Sequence, residues 1–213
     1  MAQDTIDGKK TGILFFDVLN GYVHGAEGAG KARKMAMLEN AVRLMKAGRE
    51  AGIPIFFANG NNRADDATSA LLLTDVTMSD RPWPGGVVAK GHSRVVAGES
   101  SAEVVPELDP RPDDYHIPKY RWSAFFQTYL DLALRARGID TIIVSGGSTD
   151  VGVAATVFAG RDLDYHLILA RDACATSHDQ RAHDVLMDLV FPRMGRVRTT
   201  DQVVRMIGEA GER

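Results

Sequence analysis

The chain has 213 residues, of which 45% are hydrophobic and 25% charged, a composition typical of a globular protein with a sizeable core. The net charge of −3 argues against a nucleic-acid partner, and no apolar run reaches the roughly 18 residues that a membrane span needs. A single cysteine excludes an internal disulfide, and the first residues lack the basic and apolar regions of a signal peptide, so we expect a cytoplasmic protein.

The first half of the chain predicts two buried strands with a helix between them. In order they are a strand at Gly12–Val18, a helix through Leu38, Ala41, Val42 and Met45 that ends at Gly52, and a strand at Ile55–Ala58. Residues 59–114 are polar and rich in glycine and proline, with some helix expected around 65–73. Excursions of this length in a compact domain are often functional.

The second half returns to alternating strands and helices. Strands are predicted at Tyr115–Pro118, Thr141–Ser145, Tyr165–Ala170 and Val197–Thr199, and helices at Phe125–Arg137, Asp150–Arg161, Asp179–Phe191 and Asp201–Gly208. Such alternation predicts a parallel sheet covered on both faces, that is, a three-layer α/β/α sandwich formed by one domain over residues 1–213. The functional site of such a sheet lies outside the carboxyl ends of its strands.

Three segments carry candidate chemistry. Asp17 directly follows the first strand, Lys119 follows the short strand before Tyr120, and a glycine-rich turn at 146–153 separates a strand from a helix. Taken alone, Asp17 is as well explained as a residue that caps the next turn, and Lys119 as an ordinary exposed lysine.

The segments together resemble the isochorismatase-like hydrolase superfamily, over most of the chain. The matching residues are Asp17, the run Lys119-Tyr120-Arg121-Trp122-Ser123-Ala124-Phe125 and the turn Gly146-Gly147-Ser148-Thr149-Asp150-Val151-Gly152-Val153. The resemblance implies that Asp17 and Lys119 are catalytic and in contact, with a cis peptide after Gly147. Most members place a nucleophilic cysteine at the position of Gly152, and a glycine has no side chain that could attack a substrate.

True isochorismatases are similar to this chain in commonly having glycine at that position. The mechanism implied for them needs no nucleophile: an acid protonates a vinyl ether carbon, and water adds to the oxocarbenium ion. The resemblance also implies substrate contacts, which we expect at Asn59, Arg121, Gly147, Ser148, Thr149 and Gly152. The arginine that grips a substrate carboxylate in isochorismate-cleaving members has no counterpart, since Ser69 or a neighbour falls there; Arg63 or Arg121 could substitute.

The remaining expectations concern what the site lacks. Cys174 is interpreted as a small packed residue rather than a replacement nucleophile. No pair of histidines has metal-ligand spacing, so we expect no metal and no cofactor.

We expect a small-molecule substrate, no nucleic-acid or membrane partner, and a homo-oligomer, either a dimer or a tetramer. Three functions stay open: an isochorismatase-type hydrolase of a small anionic metabolite, an amide hydrolase in which Asp17 activates water, and an inactive binding or scaffold relative.

Overall fold

The centre of the molecule is a sheet of six strands that are all parallel to their neighbours. The computed structural model describes residues 4–65, 67–68, 95–176 and 179–211. The strands are β1 (Thr11–Phe16), β2 (Ile55–Gly60), β3 (Tyr115–Lys119), β4 (Thr141–Gly147), β5 (His166–Ala175) and β6 (Arg196–Arg198). Their order across the sheet is β3-β2-β1-β4-β5-β6, which confirms the predicted parallel sheet.

Helices cover both faces of this sheet, as the three-layer prediction requires. They are α1 (Asn20–Val23), α2 (Gly28–Glu50), α3 (Leu130–Ala136), α4 (Ala154–Asp162), α5 (Gln180–Val185) and α6 (Thr200–Gly211). Alternate residues of β1 point to opposite faces, so Ile13 and Phe15 pack against α2 and α6, while Leu14 and Phe16 pack against α3 and α4. Within the described ranges, no helix is both long enough and apolar enough to cross a membrane.

Some boundaries differ from the sequence predictions. The helix predicted from Phe125 begins only at Leu130, because Gln127 has a φ of 54° and interrupts the helical backbone. A wide π-helical turn at Thr149–Val153 precedes α4. Strand β5 is longer than expected and is irregular opposite Ser145. The helix predicted around 65–73 lies mostly outside the described residues.

The order of the strands fixes where a site can form. Strands β1 and β4 are neighbours at the centre, β2 and β3 continue the sheet to one side, and β5 and β6 continue it to the other. The connections that leave β1 and β4 therefore diverge, which opens a crevice at their carboxyl ends. Asp17 follows β1 and Gly147 ends β4, so both lie at this point.

Candidate active site

The carboxylate of Asp17 is held by two donors at the carboxyl end of β1. Its Oδ2 accepts from Lys119 Nζ at 2.6 Å, and its Oδ1 accepts from the backbone N–H of Gly60 at 2.8 Å. The Asp17 N–H donates to the carbonyl of Ala58 at 2.9 Å, and a φ of 49° places the residue in the left-handed region, which aspartate tolerates better than most residues. The chain therefore turns out of the sheet directly after Phe16, with the carboxylate fixed beside the end of β2.

Lys119 is the last residue of β3 and reaches Asp17 across the end of β2. Gly60 lies opposite Lys119 in the parallel register, so no side chain separates the two charges. The Lys119 Nζ also lies 4.4 Å from the centre of the Phe16 ring. Asp17 is 7% exposed and Lys119 6%, so removing either residue leaves a buried charge without its partner. The expected contact between Asp17 and Lys119 is present.

The glycine turn packs closely against Phe16. Gly146 has a φ of 117°, and a Cβ there would lie 2.1 Å from the carbonyl oxygen of Phe16. The peptide between Gly147 and Ser148 is cis, as the resemblance implies. A Cβ on Gly152 would lie 2.3 Å from Cε1 and Cζ of the Phe16 ring and 3.3 Å from the carbonyl oxygen of Trp122. The Phe16 ring therefore fills the space into which a side chain at position 152 would extend.

The polar side chains that follow the turn are hydrogen-bonded within the protein. The Asp150 carboxylate accepts from Ser148 Oγ at 2.6 Å and from Thr176 Oγ1 at 2.7 Å. Thr149 Oγ1 lies 2.9 Å from His183 Nδ1, and burial lowers the pKa of His183 below its usual 6.5. The hydroxyls of Ser148 and Thr149 thus support the helix start, and their contact with a substrate stays a prediction.

Asn59 and Arg121, two of the predicted substrate contacts, lie outside the Asp17–Lys119 hydrogen bond. Asn59 lines a cavity of about 370 Å³ together with His116, and its buried Oδ1 accepts no hydrogen bond from any residue that the structure describes. Arg121 is exposed and donates to the carbonyl of Thr68 at 3.1 Å. Within the described part of the chain, neither side chain forms a hydrogen bond or an ion pair with Asp17. Their role toward a substrate likewise stays a prediction.

Cys174 and the exposed Arg63 have contacts of their own. The Cys174 Sγ donates to the carbonyl of Val144 at 3.7 Å, and burial raises the pKa of this thiol to about 12, which agrees with its interpretation as a packed residue. Arg63 donates to the carboxylate of Asp65 at 2.9 Å, so this candidate for gripping a substrate is paired locally. Among the residues that the structure describes, no three acidic, histidine or cysteine side chains are grouped to hold a metal ion.

Lys34 is a residue at this site that the sequence analysis missed. It lies on α2, is 2% exposed, and its Nζ is 2.6 Å from the position that a Cβ on Gly147 would occupy. Among the acidic groups near it, Asp17 acts most strongly on its charge. The helical spacing that links Leu38 and Ala41 also places Lys34 on the buried stripe of α2, so a lysine at an apolar position was the available signal.

These observations define a class of protein. It has a doubly wound α/β/α fold and a buried Asp–Lys pair in the crevice at the centre of its sheet. A sequence model of the isochorismatase domain matches residues 11–202, and the chain belongs to the isochorismatase family. Members of this family are hydrolases, and this protein is a hydrolase.

Individual relatives agree with this membership. The chain is 33% identical over 205 residues to the uncharacterised isochorismatase family protein YwoC of Bacillus subtilis strain 168. This alignment covers 95% of this chain and 96% of that protein. It is 31% identical over 179 residues to the ureidoacrylate amidohydrolase RutB of Pantoea ananatis, covering 78% and 69% of the two chains. The solved N-carbamoylsarcosine amidase of Thermoplasma acidophilum aligns with a TM-score of 0.69 and 26% identity over 90% of this chain and 97% of that one. An isochorismatase family protein of Burkholderia thailandensis shares the fold, with a TM-score of 0.78 and 24% identity over 96% and 98%.

Proposed function

We propose that the protein is a cofactor-free hydrolase of a small anionic metabolite, which works by acid/base chemistry and forms no covalent cysteine intermediate. Asp17 is the acid/base, and Lys119 holds its carboxylate in place at 2.6 Å. The observation that carries the proposal is the intact Asp17–Lys119 pair beside a nucleophile position that is a glycine packed under Phe16. Cys174 offers no replacement, because its thiol is buried and bonded to a backbone carbonyl.

For an enol ether substrate, the reaction adds one water molecule across the vinyl ether bond. Asp17, in its protonated form, delivers a proton to the vinyl carbon, which leaves an oxocarbenium ion and the Asp17 carboxylate. Water adds to this ion and returns a proton to Asp17, and the resulting hemiketal separates into a ketone and an alcohol. Formation of the oxocarbenium ion is the energetically costly step, and a carboxylate beside the reacting carbon stabilises this cation electrostatically.

Amide hydrolysis is a second candidate, and the names of two relatives favour it. RutB of Pantoea ananatis is named as a ureidoacrylate amidohydrolase, and the Thermoplasma acidophilum structure is named as an N-carbamoylsarcosine amidase. On this route Asp17 takes a proton from water, which attacks the carbonyl carbon, and then gives the proton to the departing nitrogen. The oxyanion would need donors, which we place at the backbone N–H groups of 149–153.

An inactive binding protein is the third candidate, and a buried charged pair argues against it. A buried ion pair contributes little net stability, so a scaffold has no physical need to keep Asp17 and Lys119. We also propose that the hydrolase forms a homo-oligomer, either a dimer or a tetramer. Trp122 is 65% exposed, Phe126 52% and Phe158 48%, and the burial of such aromatic surface favours self-association.

The test is a turnover assay on two substrate classes with three proteins. Isochorismate represents the enol ethers, and ureidoacrylate and N-carbamoylsarcosine represent the amides; products are followed by NMR. The proteins are the wild type, Asp17→Asn and Cys174→Ala. We expect Asp17→Asn to lower kcat by about 10²-fold or more, and Cys174→Ala to leave it unchanged.

Two controls make this assay decisive. Asp17→Asn leaves the buried Lys119 without its carboxylate, so its helix content and melting temperature must be measured beside its activity. Intact-mass spectrometry during turnover should show no adduct on the protein. An acyl adduct on Cys174, or full turnover by a folded Asp17→Asn variant, would contradict the proposal, and the absence of turnover on both classes would favour the binding protein.

A further inference from the structure

The buried stripe of α2 contains one charged residue. Its members recur at helical spacing and are Lys34, Met37, Leu38, Ala41, Leu44, Met45 and Gly48. The apolar members pack under the sheet, whereas Lys34 lies level with the carboxyl end of β4. Lysines are almost never fully buried unless they are paired, so a lysine with 2% exposure calls for a physical reason.

No residue that the structure describes takes up the charge of Lys34. Asp17 already accepts from Lys119 and Gly60, and Asp150 accepts from Ser148 and Thr176. Among the described residues, no carboxylate lies within salt-bridge distance of the Lys34 ammonium, and no acceptor receives a hydrogen bond from it. An ammonium carries three donors, and little of this side chain is exposed to solvent that could accept from them, because Lys34 is 2% exposed.

The Lys34 ammonium lies beside Gly147, where a Cβ would also meet the carbonyl oxygen of Ala175 at 2.5 Å. The Nζ occupies the space next to Gly147, where any side chain would collide with it at 2.6 Å. The amine therefore reaches the end of β4, on the side of the sheet opposite to Lys119, which packs with Phe16 toward α3 and α4. Asp17 directly follows β1, which is the neighbour of β4 in the sheet, so both residues lie at the same edge.

We propose that Lys34 is a second cationic residue of the Asp17 site, whose ammonium binds a carboxylate group of the substrate beside Gly147. This rests on the proposed function, in which Asp17 acts on a small anion. The oxygens of a bound carboxylate would accept hydrogen bonds from the Lys34 ammonium, for which the described residues provide no acceptor. Burial lowers the pKa of Lys34, as it does for an ammonium without a hydrogen-bonded counter-ion.

The test compares stability and carboxylate binding in matched variants. Lys34→Met replaces the ammonium by a side chain of similar length, and Lys31→Met makes the same change at an exposed position on the same helix. Without ligand, Lys34→Met should raise the melting temperature, while Lys31→Met should not. A residue with a structural role would give the opposite sign at Lys34.

The binding arm uses small carboxylates as probes, namely acetate, pyruvate and benzoate, with acetamide, pyruvamide and benzamide as uncharged counterparts. We expect at least one carboxylate to bind the wild type and Lys31→Met, and to bind Lys34→Met roughly 10- to 100-fold more weakly. The amides should bind all three proteins alike. Lys34→Gln, which keeps a donor without the charge, gives a second reading and should also lose carboxylate binding.

Failure of this proposal is separable from failure of the proposed function, because carboxylate binding is measured without turnover. If no carboxylate distinguishes the wild type from both Lys34 variants, Lys34 is not an anion-binding residue, whatever Asp17 does. If carboxylates bind through Lys34 while Asp17→Asn keeps full turnover, the acid/base proposal is wrong and the Lys34 proposal stands.

Discussion

Replacing Gly152 by alanine tests whether Phe16 fills the nucleophile position. The added Cβ would lie 2.3 Å from Cε1 and Cζ of the ring, well inside van der Waals contact. The ring is 1% exposed and cannot swing into solvent, so the neighbouring core must shift. Forcing an extra methyl group into a packed core costs about 1–3 kcal/mol.

A second effect of the same substitution has the opposite sign. Gly152 lies in a helical turn and does not have a positive φ, so alanine relieves a backbone entropy cost of about 0.5–1 kcal/mol. The net expectation for Gly152→Ala is a loss of about 1 kcal/mol in the free energy of unfolding. A Phe16→Leu background lacks Cε1 and Cζ, so only the contact with the Trp122 carbonyl oxygen at 3.3 Å opposes the helix effect. Gly152→Ala should therefore cost less stability there than in the wild type, or stabilise by up to about 1 kcal/mol.

The assay is urea unfolding of the four proteins of this cycle, followed by circular dichroism. Gly208→Ala is the matched control, because Gly208 lies in α6 and a Cβ there would have nothing within 4 Å. If Gly152→Ala stabilises the wild type as much as Gly208→Ala does, the ring does not occupy that space and the reasoning is refuted. The same logic predicts that Gly152→Cys gives a thiol that labels rapidly only when it is combined with Phe16→Leu.

Three further predictions concern titratable groups. Because the pKa of Cys174 is about 12, about 10⁻⁴ of the thiol is ionised at pH 8, and iodoacetamide should leave the folded protein unmodified and its activity intact, as mass spectrometry would show. The pKa of His183 is lowered in the folded protein, so protonation of the unfolded state reduces the free energy of unfolding as the pH falls below about 6.5. Urea titrations from about pH 7 to pH 5 should therefore show a smaller decrease for His183→Gln than for the wild type. An equal decrease in both proteins would contradict this role of His183. The Asp114 carboxylate accepts hydrogen bonds from both Nη atoms of Arg49, one of them at 2.6 Å, and its side chain is 3% exposed. Asp114→Asn should therefore lower the free energy of unfolding by about 2–3 kcal/mol, measured by urea unfolding. Asp65→Asn, in an exposed pair, should leave stability nearly unchanged, and equal losses would show that burial is not the cause.

The fold could be predicted from regular features of the sequence, whereas the Asp17–Lys119 contact was predicted from the family resemblance and agrees with the position of both residues at strand ends. Short apolar runs bounded by glycine and proline identify parallel strands, and strand ends on one sheet share an edge. The start of α3 could not be read in this way. The periodicity from Phe125 onward continues across Gln127, and nothing in the residue itself reveals its left-handed backbone.

The parts of the site that escaped prediction depend on side-chain packing between distant elements. Phe16 is one of four consecutive apolar residues in β1, and its contact with Gly152 follows only once β1 and β4 are known to be neighbours. Lys34 stands among other basic residues at the polar start of α2, so its burial is hidden until the whole helix is placed on the sheet. Neither the contact of Phe16 with Gly152 nor the burial of Lys34 can be read from the order of residues along the chain.

The packing of Phe16 on Gly152 also constrains how this chain could change over generations. Two of the four glycine codons differ from a cysteine codon at a single base, so from those codons a thiol at position 152 is one mutation away. That mutation alone would place the new side chain against a buried ring. The path in which a smaller residue at position 16 comes first avoids this contact, so sterics favour that order of the two mutations. Among descendants of one ancestor, a bulky ring at 16 and a thiol at 152 should rarely be found together.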